Sequence, residues 1–329
     1  MTSLAFAVGF VVIVVGALRV YEVFAGQHPI LDAIYDGRLR LEDIDRLDVR
    51  HIANLRRSDI TVTLTTLPSR IERMPLTIKS LLRQSVRPAA IRINIPYESR
   101  REGVPYRIPE WLTRLRSVTI VRGEDYGPAT KLIPTLLDSA QDARLLVVDD
   151  DRVYHPYFVE QMTARADAHP DAAVGASGWD APEDRIDRPT KLLATLLGRA
   201  PAPIKCTRVR GVREVDIVQG LSGYVVQPRF FDLDAIVDYT QAPPAAFFVD
   251  DVWISAHCRA RKLVCGGRRT NFPSVFDARA YKRSSVSRVN RGTGTPESRN
   301  NTIVLQYFRD RWRSGYRAVT PQASSSLGR

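Results

Sequence analysis

The chain has 329 residues, of which 44% are hydrophobic and 26% charged, which is typical of a globular α/β protein and excludes a disordered chain. Its net charge of +12 favours an anionic partner: a membrane surface, a phosphate-rich substrate or nucleic acid. No nucleic-acid-binding motif accompanies the arginine clusters, so we expect no nucleic acid. Three scattered cysteines exclude a disulfide framework and a thiolate zinc site, and they fit a reducing compartment.

Residues 1–24 predict a membrane-spanning helix. Residues 4–18 are uncharged and almost wholly apolar, and further apolar residues follow Arg19. No positive charge precedes the segment and no cleavage site follows it, which argues against a signal peptide. Because positive charge follows at Arg19 and Arg38, the positive-inside rule predicts a single-pass membrane protein with its body on the cytoplasmic side. A helix lying in the interface or a buried helix would also fit this composition.

Residues 25–58 predict a juxtamembrane helical linker, residues 59–313 the catalytic domain and residues 314–329 a flexible tail. In the first part of the domain, apolar runs rich in β-branched residues alternate with segments of helical spacing. The predicted elements are strand 60–66, helix 72–84, strand 90–95, strand 118–121, helix 128–140, strand 144–148, helix 156–168 and strand 173–177. This alternation predicts a doubly wound, mostly parallel sheet.

The second part of the domain has a less regular pattern. Its predicted segments are an irregular stretch over 178–213, strands 215–218 and 223–226, helix 250–261, a mobile loop over 281–295 and an amphipathic helix over 297–313. The loop prediction depends on the richness of that stretch in Ser, Arg and Gly.

Three consecutive aspartates, Asp149, Asp150 and Asp151, follow the buried apolar run 145–148. Such a strand delivers carboxylates to the edge of an open α/β sheet where ligands bind. Clustered hard oxygen ligands suit Mn²⁺ or Mg²⁺, which share their shell with substrate phosphates. Aspartates also start turns and cap helices, but three adjacent like charges need a cation or hydrogen bonds to balance them. The triplet predicts a metal-dependent enzyme with a phosphate-bearing donor.

Five segments occur in a distinctive order within residues 59–263. They are SLLRQSVRP at 80–88, GPATKL at 127–132, DDD at 149–151, QGLSGY at 219–224 and VDDVW at 249–253. Their order resembles that of family 2 glycosyltransferases. The resemblance implies a GT-A fold: α/β, with a single Rossmann-like mixed, mostly parallel sheet flanked by helices, here with an N-terminal membrane helix. It also implies a nucleotide-sugar donor, UDP-linked, and a glycan or lipid-linked acceptor.

The resemblance assigns roles on the donor side. Asp151 would ligate the metal, and Asp149 would complete the metal shell or contact the ribose. The implied donor-binding residues are Thr66, Glu98, Lys131, Asp149 and Asp150. Lys131 would add positive charge near the phosphates, although a lysine on a helix often faces solvent. Glu98 is the acid nearest the end of the second strand, where many family members contact the base.

On the acceptor side, Asp251 is the implied general base of an inverting transfer, with Asp250 as the second candidate. Both acids begin a predicted helix, so Asp250 could instead be its cap. The implied acceptor-binding residues are Trp179, Gly220, Ser222, Gly223 and Trp253. The tryptophans would stack on a sugar and the glycines would let the backbone approach it, but core packing and turns are the ordinary explanations of these residues.

The chain departs from the family pattern in one ligand. Many enzymes of this fold use a late histidine on the metal, and no histidine follows His257. The basic segment 282–291 could close over the diphosphate as a lid. Two other functions fit parts of the sequence: a sugar nucleotidyltransferase on a similar sheet, and a non-enzymatic basic protein tethered to a membrane. The sequence leaves the sugar, the acceptor, the linkage and the oligomeric state open.

Overall fold

The computed structural model describes residues 2–25, 27–190 and 203–313. The strands are β1 Thr61–Leu64, β2 Ala90–Pro96, β3 Glu98–Ser99, β4 Val104–Pro105, β5 Val118–Gly123, β6 Leu145–Val147, β7 Arg152–Tyr154, β8 Ala172–Gly175, β9 Ser177–Trp179, β10 Ile204–Lys205, β11 Val212–Val215, β12 Ile217–Val218, β13 Tyr224–Val226, β14 Arg261–Cys265 and β15 Asn271–Pro273. The helices are α1 Thr2–Ala25, α2 Pro29–Leu41, α3 Ile44–Ala53, α4 Pro75–Leu82, α5 Glu110–Thr113, α6 Ile133–Leu137, α7 Phe158–Ala168, α8 Leu233–Val237, α9 Asp250–His257, α10 Ala278–Arg283, α11 Val286–Val289 and α12 Asn300–Tyr307.

An eight-stranded sheet in the order β11-β14-β8-β13-β6-β1-β2-β5 forms the centre of the protein. Strands β5, β2, β1 and β6 run parallel, while β13 lies antiparallel between β6 and β8. The β-branched and leucine residues of the middle strands, among them Val62, Ile93 and Leu146, are fully buried. Helices α4 and α7 lie in the flanking layer, α4 against β7 and α7 against β8. The predicted fold class, a mixed and mostly parallel sheet flanked by helices, is confirmed.

Helix α1 contains a stretch, Ala5–Glu22, that is long and apolar enough to cross a membrane, with a mean hydropathy of 1.9. The next helix, α2, has an unusual polarity. Its two acids Asp32 and Asp36 are buried and ion-paired, whereas Ile30 and Ile34 are exposed and Leu39 is buried. In the predicted linker, α2 and α3 both pack against α4. Membrane insertion and its sidedness remain predictions.

Several predicted elements differ in the structure. The predicted helix 128–140 is a 3-10 turn, Gly127–Lys131, followed by the short helix α6. Gly127 has a φ of +62°, and a Cβ there would collide with the Phe247 carbonyl, so the chain turns sharply before it can form an α-helix. The mobile loop predicted over 281–295 contains the end of α10 and all of α11.

The predicted helix 250–261 ends at His257. Strand β14, which begins at Arg261, was not predicted from the sequence. The last predicted helix, 297–313, is the shorter α12 followed by a 3-10 turn, Arg309–Arg311. The predicted tail over 314–329 and part of the predicted irregular stretch, residues 191–202, lie outside the described residues.

Candidate active site

A cavity of about 520 Å³ opens beyond the carboxyl ends of β1 and β6. Thr65 and Thr66, which follow β1, form one part of its wall, and the aspartate triplet after β6 forms the next part. Asp250 and Asp251, at the start of α9, line it as well. Because the ends of parallel strands meet at one sheet edge, residues far apart in sequence share this cavity.

Lys131 joins the two groups of acids. Its Nζ lies 2.6 Å from Asp149 Oδ1 and 2.5 Å from Asp250 Oδ2, and its side chain is only 7% exposed. Burial alone would raise the pKa of Asp149, but the charge of Lys131 and its hydrogen bond hold this pKa below the usual value. The two carboxylates in turn hold the pKa of Lys131 well above its usual value despite burial. Lys131 is therefore a buried ammonium group, which excludes the solvent-facing alternative.

The Asp150 carboxylate accepts hydrogen bonds from two side chains that follow β1 in the chain. Thr66 Oγ1 donates to Asp150 Oδ2 at 2.7 Å, and the Arg70 guanidinium donates to Asp150 Oδ1 at 2.9 Å. Burial raises the pKa of Asp150 to about 6, and Arg70 limits the rise. Arg70 also donates to Ser284 and to the Tyr281 carbonyl, so the same guanidinium connects Asp150 to α10.

Asp149 and Asp151 are the predicted metal ligands, and their surroundings can be compared with that prediction. Both carboxylates line the cavity with side-chain exposures of 27% and 29%. Asp151 Oδ1 lies 3.5 Å from Arg152 Nε, and Asp149 is paired with Lys131. Among the described residues, no group of three or more His, Cys, Asp or Glu side chains is placed to hold a metal ion. A Mn²⁺ or Mg²⁺ ion held by Asp149 and Asp151 remains a prediction, and a diphosphate would have to supply most of its ligands.

Asp251 differs from the other acids in its surroundings. Its Oδ1 accepts a hydrogen bond of 3.0 Å from the Gly220 backbone N–H. Burial first, and the neighbouring Asp250 second, raise its pKa to about 8, while Lys131 opposes the rise. A carboxylate that exchanges its proton near neutral pH is suited to general-base chemistry. Gly220 is needed at this point, because a Cβ there would collide with Lys131 Nζ and approach Asp149.

The structure places the predicted acceptor residues in different regions. Trp179 lines the large cavity and Ser222 lines a smaller one beside it. Trp253 lines neither: it is 1% exposed, its Nε1 donates to the Ile236 carbonyl at 2.9 Å, and it stacks on Tyr239. Trp253 is therefore a core residue, because the buried face of α9 carries it away from the cavity.

Two further predicted site residues also lie outside the cavity. A Cβ on Gly223, whose φ is +85°, would collide with the Phe158 ring, so this glycine serves close packing in the core. Glu98 is exposed in β3 and is not part of the cavity wall.

The sequence assigned no role in the site to a further group of residues that line the cavity. They include Arg70, Arg101, Asp125, Arg152, Gln219 and Arg299. Arg70 follows Pro68 just after β1, and a position beside the carboxyl end of a strand was the available signal. Ser285, Ser287 and Asn290, in and around α11, also line the cavity. The predicted lid segment therefore contributes wall residues, and its closure remains a prediction.

Known proteins offer a limited comparison. No protein-family model matches the chain, and no curated protein matches it. Staphylococcus aureus TarS, residues 1–349, is 10% identical with a TM-score of 0.43, over 77% of this chain and 71% of that one. UDP-glucose pyrophosphorylase in complex with UDP-glucose is 10% identical with a TM-score of 0.40, and the match covers 70% of this chain and 99% of that one. TarS residues 1–349 in complex with UDP-GlcNAc is 12% identical with a TM-score of 0.38, and the match covers 64% of this chain and 57% of that one.

Proposed function

We propose that this chain is a glycosyltransferase that moves a sugar from a nucleotide-diphosphate donor, UDP-linked, to a hydroxyl of a glycan or lipid-linked acceptor. The observation that carries the proposal is the pairing of two acid groups across one cavity, with Lys131 between them. Such a site can hold a diphosphate at one wall and remove a proton at the other. The apolar stretch of α1 supports a membrane-anchored enzyme.

The donor side follows from the charges near the triplet. Arg70, Arg101 and Arg152 line the cavity there and would face a diphosphate together with Lys131. A divalent ion held by Asp151 and Asp149 would offset the negative charge that develops on the leaving diphosphate. These cations would orient the donor, and Thr65 and Thr66 at the end of β1 would contact its nucleoside.

On the acceptor side, Asp251 is proposed as the base. In its ionised form it would take the proton of the acceptor hydroxyl as that oxygen attacks the anomeric carbon and the bond to the diphosphate breaks. The Gly220 N–H would keep the carboxylate oriented. Attack from the side opposite the leaving group inverts the configuration, which is the outcome we propose.

A thermal-shift screen of the full-length protein tests this function. UDP-sugars, other nucleotide-sugars and free nucleotides are compared with and without Mn²⁺, since a ligand that binds only the folded state raises the melting temperature. We expect at least one nucleotide-sugar to give the largest shift and to be consumed with release of its nucleoside diphosphate. Pyrophosphate release from a nucleoside triphosphate and a sugar phosphate would instead identify a nucleotidyltransferase. No shift with any nucleotide would contradict both enzymes and favour a non-enzymatic tether.

A further inference from the structure

A second cavity, of about 220 Å³, adjoins the first. Arg152, Pro203, Gln219 and Leu221 line both cavities, so the two are neighbours across a shared boundary. The second cavity is small for a whole nucleotide-sugar, because pockets for such ligands usually measure about 300–1,000 Å³. Its size suits a compact chemical group that is attached to a larger molecule.

The described wall of this cavity is positively charged. Arg152, Lys205 and Arg269 line it, and its described lining residues include no Asp or Glu. Arg269 is itself paired with Glu22 and Asp32. Burial first, and the charge of Arg152 second, lower the pKa of Lys205 to about 8. An anion bound beside Lys205 would favour the charged form of this lysine.

Two buried polar atoms on the same wall make no hydrogen bond within the described part of the chain: Ser177 Oγ and Gln219 Oε1. Ser177 is fully buried. Buried polar groups nearly always have a partner, because an unpaired one costs free energy. The Ser177 hydroxyl can donate and matches a phosphate oxygen, whereas Gln219 Oε1 is an acceptor and matches a hydroxyl.

The cavity lies at the foot of the apolar helix α1. Gln27, two residues after α1, forms part of its wall. Arg269 on the same wall lies 3.3 Å from Glu22 in α1. The helix that follows exposes the apolar side chains of Ile30 and Ile34, which suit contact with lipid. A group bound here would therefore sit between the membrane side of the protein and the catalytic acids.

We propose that the smaller cavity binds the phosphate group of a lipid-linked acceptor, with its hydroxyl directed past Gln219 toward Asp251. Lys205 and Ser177 donate to the phosphate oxygens, and the lipid chain leaves along α1. This assignment rests on the proposed glycosyl transfer and names the substrate class of its acceptor.

The test uses the full-length protein in detergent micelles and three probes: farnesyl phosphate, farnesol and inorganic phosphate. Dissociation constants come from thermal-shift titrations. We expect farnesyl phosphate to bind more tightly than either of the others, because it combines the anion with an apolar chain. Equal binding of farnesol would overturn the phosphate site. Equal binding of inorganic phosphate would overturn the lipid assignment and leave a site for free phosphate.

Matched variants locate the binding. Lys205→Gln should weaken farnesyl phosphate binding about 10- to 100-fold, the loss expected for one charged hydrogen bond. Ser177→Ala should weaken it about fivefold without loss of folding, since the Ser177 hydroxyl has no partner in the described structure. Lys262→Gln is the control, because Lys262 is also a half-buried lysine but lines neither cavity. Equal binding by the Lys205 and Lys262 variants would overturn the proposal.

The same samples separate this proposal from the proposed function. A nucleotide-sugar should shift the melting temperature of Lys205→Gln as much as that of the unchanged protein, because Lys205 is outside the large cavity. Donor binding without any Lys205-dependent phosphate binding would refute the acceptor site alone. Lys205-dependent phosphate binding without any nucleotide-sugar binding would refute the glycosyltransferase proposal alone.

Discussion

The two acid groups of the large cavity differ in how their charge is balanced. The triplet, Asp149 to Asp151, faces three described cations: Lys131, Arg70 and Arg152. The pair Asp250 and Asp251 has Lys131 as its described cation, and Lys131 is shared with the triplet. Lys131 accordingly holds the pKa of Asp149 below its usual value, whereas burial and the neighbouring Asp250 raise the pKa of Asp251 to about 8. The same residue type thus has opposite pKa shifts because its neighbours differ.

We expect the largest effect from removing Lys131, the cation that the two acid groups share. Lys131→Met leaves the partly buried carboxylates of Asp149 and Asp250 without their ammonium partner, and breaking a buried pair costs about 3–5 kcal/mol of unfolding free energy. Urea unfolding followed by tryptophan fluorescence measures the loss. Asp171→Asn is the control, because its pair with Arg229 is exposed and should contribute less than about 1 kcal/mol. Similar losses in both variants would show that Lys131 does not hold the two groups together.

Changing the proposed base should affect the rate and spare donor binding. Asp251→Asn keeps an oxygen for the Gly220 N–H but cannot take a proton, so we expect transfer to slow about 10²- to 10⁴-fold. The transfer rate is measured as release of the nucleoside diphosphate from the donor that the thermal-shift screen selects. Donor binding is measured as the shift in melting temperature. Asp250→Asn is the matched variant one residue away. A greater loss of rate in Asp250→Asn would transfer the role of base to Asp250.

The pH dependence should distinguish the two groups of acids. A base is active when deprotonated, and the pKa of Asp251 is raised to about 8, so kcat/KM should rise with pH and level off above about pH 8. Below that pH it should fall about tenfold per unit. Measurements of kcat/KM from pH 6 to 9.5 in the unchanged protein and in Asp251→Asn test this, because the variant should lack the rise with pH. A flat profile in the unchanged protein would contradict the assignment.

The smallest expected effect concerns the metal. Mn²⁺ alone should shift the melting temperature very little, because the described residues provide no group of three metal-binding side chains. Mn²⁺ with UDP should shift it more than UDP alone, since the phosphates would complete the shell begun by Asp151 and Asp149. Mg²⁺ and Ca²⁺ are the comparison ions. A large shift with Mn²⁺ alone would show a resident metal site, and equal shifts for UDP with and without Mn²⁺ would argue against any metal.

The sequence determined most of what depends on local pattern. Strands β1, β2, β5 and β6 were predicted from β-branched runs, and the sheet class follows from their alternation with helices. The position of Asp149 to Asp151 at a sheet edge was predictable for the same reason. The apolar length of α1 was readable directly, because a membrane span requires only a continuous run.

Only the tertiary structure decided which side chains meet. Lys131 faces both Asp149 and Asp250, and no local pattern links these three positions. Trp253 turned out to be a core residue next to the acids of its own helix, because a helix turns about 100° per residue and adjacent positions point to different sides. Arg70 reaches Asp150 only because β1 and β6 are neighbours in the sheet. Hydrophobic periodicity specifies the elements, but ion pairs between distant residues depend on how those elements pack.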